Sequence, residues 1–402
     1  MPTLLQINTS VNRGSTGHIA EQIAEKAMAI GWKCYTAYSR SVNPSQTQTF
    51  RIGNARTVKW HGVLTRLFDM AGLGAQRATY GLIEYMEEIK PDVVHLHNIH
   101  GYVLNYKVLF EYLNEHQIPV VWTFHDFWAI TGHCSHFVGA NCERWKFECN
   151  KCPLIDNYPK SYLDFSKRNF NLKKRLFSTS NLHIVAVSKW VEELTKQSFL
   201  KDKDIRCIEN GVDLNVFKHS EYCGNQIPLD KYVIMGVASQ WSAGKGFDDY
   251  LKLSKLLADD EVIVLVGLQD SQLRLLPDNI VGIKRTESVA DLAQLYTRAD
   301  VVTSLSYAET FGLTIVEGYA CGTPAIVYDN TAPPSLIKPE TGRVVPTGDV
   351  DTLYKAIQDL KTSNFKSLHS CECVNYARES FDKDKLFETY VDLYEELLKR
   401  SL

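Results

Sequence analysis

Apolar residues in this chain fall in short unbroken runs, each followed by polar turn residues and then by a stretch with helical spacing. The first run, residues 3–8 (TLLQIN), leads through a Gly/Ser/Thr-rich loop at residues 8–18 into residues 19–30. There Ile19, Ile23, Ala27 and Ile30 share one helical face, and Gly31 is placed to cap its end. Residues 33–38 form the next run. Continuous apolar runs of this length predict parallel strands buried on both faces, and the strand–helix–strand order predicts an α/β, doubly wound sheet. The pattern recurs at 92–97, 119–124 and 183–187. A second series starts at 231–238 and continues through 261–267, 279–283, 300–305, 324–328 and 342–345. Two series predict two Rossmann-like domains facing each other. Polar turn residues at 208–217 (IENGVDLNVF) separate them, which sets expected domains at 1–207 and 208–382. In the last helix, 383–402, Leu386, Phe387, Tyr390, Leu393 and Leu397 recur at helical spacing and are expected to pack back on the first domain.

Composition narrows the class. The chain has 402 residues, 45% hydrophobic and 23% charged, as in soluble globular proteins. A net charge of −3 supplies no basic field for nucleic acid. No apolar run approaches the roughly 20 residues of a membrane span. The first residues lack a basic region followed by an apolar one, so a cytoplasmic protein is expected. Six of the ten cysteines (Cys34, Cys207, Cys223, Cys321, Cys371, Cys373) are scattered, as free thiols in a reducing compartment would be.

Residues 58–77 mix Val58, Trp60, Val63, Leu64, Leu67, Phe68 and Met70 with Lys59, Arg66 and Arg77. Two readings stand: a helix packed on the sheet or partly covering a cleft, and a surface that touches membrane or a lipid-linked substrate.

Candidate chemistry concentrates in residues 304–329 (SLSYAETFGLTIVEGYACGTPAIVYD), a strand–loop–helix–turn–strand unit. Glu309 lies in the loop and Glu317 further along the helix. Phe311, Gly312, Leu313 and Thr314 open that helix, and N–H groups at a helix start favour an anion. Lys245, in SQWSAGKGF after an earlier strand, offers an ammonium for phosphate. Neither loop is a P-loop, and no dinucleotide fingerprint follows the first strand. Gly14 and Gly17, in the first loop, would let a substrate approach the backbone and let the loop move. His125 ends a strand where it could bond a sugar hydroxyl, with Asp126 orienting it. His95, His97 and His100 read as mostly structural. Cys134, Cys142, Cys149 and Cys152 (C-x7-C-x6-C-x2-C, an insertion at 134–152) could close a structural zinc site, giving folding energy to a loop with little core of its own. Free or redox-active thiols are the other reading.

With FGLTIVEGYACGTPAI, the NGVD at 210–213, Lys245-Gly246 and HDFWAITGHC in hand, the chain resembles the retaining GT-B glycosyltransferases of family 4, in the bacterial branch that builds capsular or colanic-acid-type polysaccharides. The resemblance implies two Rossmann-like domains, the first binding acceptor and the second a nucleoside diphosphate sugar. It implies a catalytic set of His125, Lys245 and Glu309, with Glu309 and His125 on the donor sugar. Glu317 would take the ribose hydroxyls. Lys245 and the N–H groups of Gly312, Leu313 and Thr314 beside Phe311 would hold the diphosphate, and Gly14 and Gly17 would border acceptor and phosphate. No divalent metal is required for such transfer. The partners implied are a nucleotide sugar and a glycan or lipid-linked acceptor, with peripheral contact at the inner face of the membrane. One departure stands out: the family usually has an Arg five residues before the Lys of KG, and this chain has Gln240. Arg13 and Arg285 are the candidate substitutes. A nucleotide-sugar epimerase, another enzyme of the same fold, or a non-catalytic nucleotide-sugar-binding protein are the alternatives. Sugar, base, acceptor and oligomeric state are not set by the sequence.

Overall fold

The structure, a computed structural model, describes residues 1–222, 224 and 227–401, so Cys223 and Leu402 lie outside the described residues. It divides into one unit of Met1–Glu209 with Phe387–Leu402 and a second of Asn210–Leu386.

The first unit holds a seven-stranded sheet. Its strands are β1 (Thr3–Ile7), β2 (Lys33–Tyr38), β3 (Gln48–Arg51), β4 (Val93–Leu96), β5 (Val120–Phe124), β6 (Leu182–Ala186) and β7 (Asp204–Cys207). Their order is β3-β2-β1-β4-β5-β6-β7, and every pair is parallel, with Thr3 opposite Lys33 and Leu4 opposite Val93. The chain reverses its direction of travel across the sheet between β1 and β4, so a crevice opens beyond their C-terminal ends. Every residue of β1, β4, β5 and β6 is buried, which explains their mostly apolar sequences. The two edge strands were not expected. Gln48–Arg51 exposes three of its four residues, and Asp204–Cys207 is half-buried throughout, so neither carries an apolar run.

Two expectations change here. The helix after β1 spans Gly14–Ala29, so Gly14 and Gly17 belong to its first turn rather than to a mobile loop. Residues 58–77 do not form one helix. Ala55–Phe68 and Gln76–Ile89 are separate helices, and the first ends where Asp69 turns left-handed at φ 49°.

The second unit holds a six-stranded parallel sheet. Its strands are β8 (Tyr232–Val237), β9 (Glu261–Val266), β10 (Ile280–Ile283), β11 (Val301–Ser304), β12 (Ala325–Tyr328) and β13 (Gly342–Val345). Their order is β10-β9-β8-β11-β12-β13, with its switch between β8 and β11. Ile234, Ile263, Leu265, Val301, Ile326 and Leu353 lie in one core cluster. Burying each such side chain contributes about 1.5–3 kcal/mol.

The NGVD stretch has a structural task in this unit. Val212 N donates to Phe381 O at 2.7 Å, Lys383 N to Val212 O at 3.1 Å, and the Lys383 ammonium meets Asp213 at 2.7 Å. It thus clamps the start of the last helix, Lys383–Ser401. From Phe387 onward that helix belongs to the first unit, as its apolar spacing led one to expect. There Tyr394 Oη lies 2.6 Å from His95 Nδ1, and Glu396 is 2.7 Å from Arg206.

Candidate functional site

In the second unit the loop after β8 folds back over β11. Its last turn, Ala243–Lys245, leads to Gly246 at φ 76°, where a Cβ would collide with the carbonyl of Leu305. Glycine therefore lets Lys245 reach the loop beyond β11. Its Nζ lies 2.6 Å from Glu309 Oε2, with the two side chains 37% and 23% exposed. Glu309 is held from behind. Its backbone N donates to Thr331 Oγ1 at 3.2 Å, Thr310 N donates to its Oε1 at 3.1 Å, and Ala332 N donates to its carbonyl at 3.2 Å.

Three residues on, the helix Leu313–Ala320 begins at Gly312, whose φ of 116° suits glycine and whose missing side chain leaves the first turn without a cap. Unclaimed N–H groups and the positive end of the helix dipole make that turn hospitable to an anion. Leu313 and Thr314 are half-buried, while Phe311 is buried and sits edge-on to Phe381 at 5.9 Å, a packing contact. Further along, Glu317 Oε2 accepts a hydrogen bond from Tyr296 Oη at 2.7 Å. Burial pushes the Glu317 carboxyl up to about 7, against the pull of that bond. Burial likewise keeps the Tyr296 phenol well above its ordinary value, so it remains a donor. Tyr296 carries no sequence signal: it is one aromatic on an ordinary amphipathic helix, Val289–Arg298.

The arrangement offers an ammonium and backbone donors to an anion, and carboxylates to hydroxyl groups. A cavity of about 320 Å³ opens beside the same loop, but Asp248 and Asp249 line it, which suits no diphosphate. Asp249 is already held by Tyr307, Tyr328 and Lys252 at 2.8, 3.0 and 2.8 Å. Gln240 and Arg285 are exposed loop residues of this unit.

In the first unit His125 follows β5, half-buried. Its Nε2 lies 3.1 Å from His97 Nδ1, and His97 Nε2 lies 2.8 Å from Gln6 Oε1. Gln6 Nε2 donates to Ala20 O at 2.7 Å, which turns the amide oxygen toward His97. His97 is therefore the Nε2–H tautomer, and its Nδ1 accepts from His125 Nε2–H. Burial pushes the His125 imidazole down to about 4, so it is neutral near pH 7. The expectation that Asp126 orients His125 is corrected. Asp126 pairs with His100 at 3.2 Å and accepts from Trp128 N at 2.9 Å, while His97 positions His125. Gly14 is exposed and Gly17 buried at the start of their helix, where Arg13 supplies no side-chain cap.

The zinc expectation finds no support. Cys134, Cys142, Cys149 and Cys152 do line one small cavity, together with Phe137 and Trp145. Yet among the described residues no group of three or more His, Cys, Asp or Glu is placed to hold a metal ion. The Cys134 thiol instead donates to Cys152, whose own thiol is thereby drawn down to about 7, while burial keeps Cys149 up at about 12. The insertion also has a core of its own, which the sequence reading missed. Phe137 stacks on Trp145 at 4.6 Å and packs on Phe127 at 4.9 Å, and all three rings are buried.

Comparison with known proteins places these features in a family. Residues 35–216 match the model of "Glycosyltransferase Family 4", and residues 225–380 that of "Glycosyl transferases group 1". A curated relative, the "Putative colanic acid biosynthesis glycosyl transferase WcaC" of Escherichia coli K12, is 22% identical over 98% of this chain and 100% of its own. Among solved structures, sucrose-phosphate synthase from Thermosynechococcus elongatus superposes with a TM-score of 0.78 at 17% identity over the whole of both chains. Anabaena Alr3699/HepE in complex with UDP-glucose gives 0.68 at 15% identity, over 98% of this chain and 99% of its own. The two Rossmann-like sheets are those of the GT-B fold.

Proposed function

This chain belongs to the glycosyltransferases of group 1 and family 4, and we propose that it moves a sugar from a nucleoside diphosphate donor, UDP- or GDP-linked, to a hydroxyl of a glycan or lipid-linked oligosaccharide, with retention of configuration, in bacterial surface polysaccharide assembly. The observation that carries this reading is the 2.6 Å contact of Lys245 with Glu309 beside the uncapped helix start at Gly312. In it, the second unit binds the donor and the first the acceptor. Lys245 and the N–H groups of Gly312, Leu313 and Thr314 take the diphosphate, Glu309 and His125 the sugar, and Glu317 the ribose. Gly14 and Gly17 border the acceptor and the donor phosphate.

As the bond from the anomeric carbon to phosphate oxygen breaks, negative charge gathers on the leaving diphosphate. Lys245 and the helix start stabilise it more than they stabilise the intact donor. The acceptor hydroxyl attacks from the same face and its proton passes to the leaving phosphate, so no protein nucleophile is needed. With Gln240 where an arginine was expected, Lys245 and the backbone carry more of that charge. The relative's colanic acid name supports the polysaccharide setting, and the Anabaena complex makes UDP the first nucleotide to try. The proposed place of action is the cytoplasmic side of a membrane, where a lipid-linked acceptor would lie.

Calorimetry with UDP and GDP, on the wild type and on Glu317→Ala, tests the site. One nucleotide binds, and the variant binds roughly tenfold more weakly or worse, as the loss of hydrogen bonds to a charged group requires. Binding of neither nucleotide, or equal binding by the variant, removes the assignment. In a donor screen, an inverted product would remove retention.

A further inference from the structure

One buried carboxylate of the second unit takes no ligand in the site proposed above. Asp249, in the helix Phe247–Leu253, is 2% exposed. A carboxylate so placed is unfavourable unless its oxygens are engaged. Here both are. Oδ2 accepts from Tyr307 Oη at 2.8 Å and from Tyr328 Oη at 3.0 Å, and Oδ1 accepts from Lys252 Nζ at 2.8 Å. Burial and the nearby carboxylate push the Tyr307 phenol up to about 12, so it donates throughout the neutral range. The helix that carries Asp249 is itself fixed, because the buried Tyr250 donates from Oη to Thr303 O of β11 at 2.8 Å.

The two phenols differ in what else holds them. Tyr328 is the last residue of β12 and pairs with Val345 of β13, so the sheet places it without help from its hydroxyl. Tyr307 lies three residues beyond β11 and two before Glu309, where sheet pairing does not reach. Its N donates to Gly244 O at 2.9 Å, which joins this loop to the residue before Lys245. Its hydroxyl joins the same loop to Asp249, four residues after Lys245. Lys245 is thus bracketed by two bonds to one tyrosine. Gly348 packs close against that hydroxyl: a Cβ there would lie 3.1 Å from Tyr307 Oη. Glu309 has its own bonds to Thr331 and Ala332, so the bracket sets the place of the Lys245 turn relative to it.

We propose that Asp249 is a positioning residue, which acts through Tyr307 to hold the Lys245 turn against the 305–310 segment and so keeps Lys245 opposite Glu309. Its consequence for binding rests on the reading of Lys245 as a diphosphate ligand, whereas the strut itself belongs to the free protein.

Two measurements on the full chain test it. Asp249→Ala would release two phenols and an ammonium at once, so the hydroxyls are removed singly, as Tyr307→Phe and Tyr328→Phe. Both bond the same carboxylate oxygen, and a merely stabilising role would make the two variants behave alike. Hydrogen exchange read by mass spectrometry on the free protein should be roughly fivefold faster over residues 242–246 and 305–310 in Tyr307→Phe, and unchanged there in Tyr328→Phe. In calorimetry with UDP and GDP, Tyr307→Phe binds the nucleotide roughly fivefold more weakly, the effect of one hydrogen bond, while Tyr328→Phe binds as the wild type does. On a Lys245→Ala background Tyr307→Phe has no further effect, since the group it places is gone. Unchanged exchange in Tyr307→Phe overturns the proposal whether or not a nucleotide binds. So does an equal loss of affinity in both phenylalanine variants, or a loss that persists in full without Lys245. A wild type that binds neither nucleotide removes the donor-site reading instead, and the exchange comparison alone then supports or overturns the strut.

Discussion

The polar groups in and around the two sheets are held in different ways. In the first unit they are tied to one another inside the fold. Gln6, His97 and His125 form one hydrogen-bonded line, His95 joins Thr123 to Tyr394, and Asp69 and His133 pair with no exposure at all. In the second unit Lys245 and Glu309 meet at 2.6 Å but remain partly open to water, and the helix start beside them has no cap. Partners that are buried on both sides fix a shape. Partners that face solvent can be exchanged for a ligand at little cost. The first sheet thus presents a preset surface, and the second presents groups ready to change partners.

The largest expected effect tests the first half of that contrast. Asp69→Ala would leave His133 unpaired in the interior, free the Phe165 N–H, and place alanine at a left-handed φ of 49°. The loss should be about 3–5 kcal/mol of unfolding free energy, read from urea titrations. Burial alone would lower the His133 pKa, but the hydrogen bond and charge of Asp69 outweigh it and hold it above the ordinary 6.5. The pair's contribution is therefore full below about 6.5 and fades as pH rises through the raised value, so the wild-type advantage over Asp69→Ala should shrink on going alkaline. A loss under about 1 kcal/mol would put this pair among surface contacts and end the distinction.

The sequence exposes the second region more fully than the first, for a physical reason. Strand-end loops carrying Lys245, Glu309 and Gly312 are short and local, so their chemistry follows from position after an apolar run. β3 and β7 escape notice because edge strands need no apolar run. Asp126 looked like the partner of its neighbour His125, whereas the residue that positions His125 is His97, just past the end of β4 and 28 positions away. The cysteine insertion looked coreless because Phe137 and Trp145, eight residues apart, sit among turns with no strand or helix pattern around them and meet only when the loop folds on itself. Tyr296 reaches Glu317 across 21 residues. Long-range pairings such as these leave no spacing to read, and they decide orientation and protonation more than fold.

The other half of the contrast predicts a loss of rate without loss of fold. Lys245→Ala removes a cation from the proposed diphosphate site, and kcat/KM should fall about 10²–10³-fold, as for loss of one preorganised charge-stabilising donor. Unfolding free energy should move by less than about 1 kcal/mol, because the Lys245–Glu309 pair is partly solvated. Urea titrations beside initial-rate assays separate the two. If Lys245→Ala instead unfolds as readily as Asp69→Ala, the pair is a structural lock and the two regions are alike.

The smallest effect sharpens the comparison at Glu317, whose carboxyl accepts from Tyr296 and is pushed up by burial. Its folded pKa of about 7, raised by burial from 4.5, means that between those values the free protein keeps a proton the unfolded chain has lost. The carboxyl thus favours folding most below about 4.5, and that advantage drains away as pH climbs to about 7. Nucleotide binding runs the other way. Ribose hydroxyls donate best to the ionised carboxylate, so affinity should rise by up to about tenfold between pH 6 and pH 8 and then level off. Phosphate itself titrates near pH 6, so Glu317→Gln is needed as the reference: it keeps an acceptor oxygen and cannot ionise. The difference between wild type and variant, measured by calorimetry across that range, isolates the carboxyl. Parallel curves would mean that Glu317 only holds Tyr296 in place, and its proper comparison would then be with His97 in the first unit rather than with Glu309 in the second.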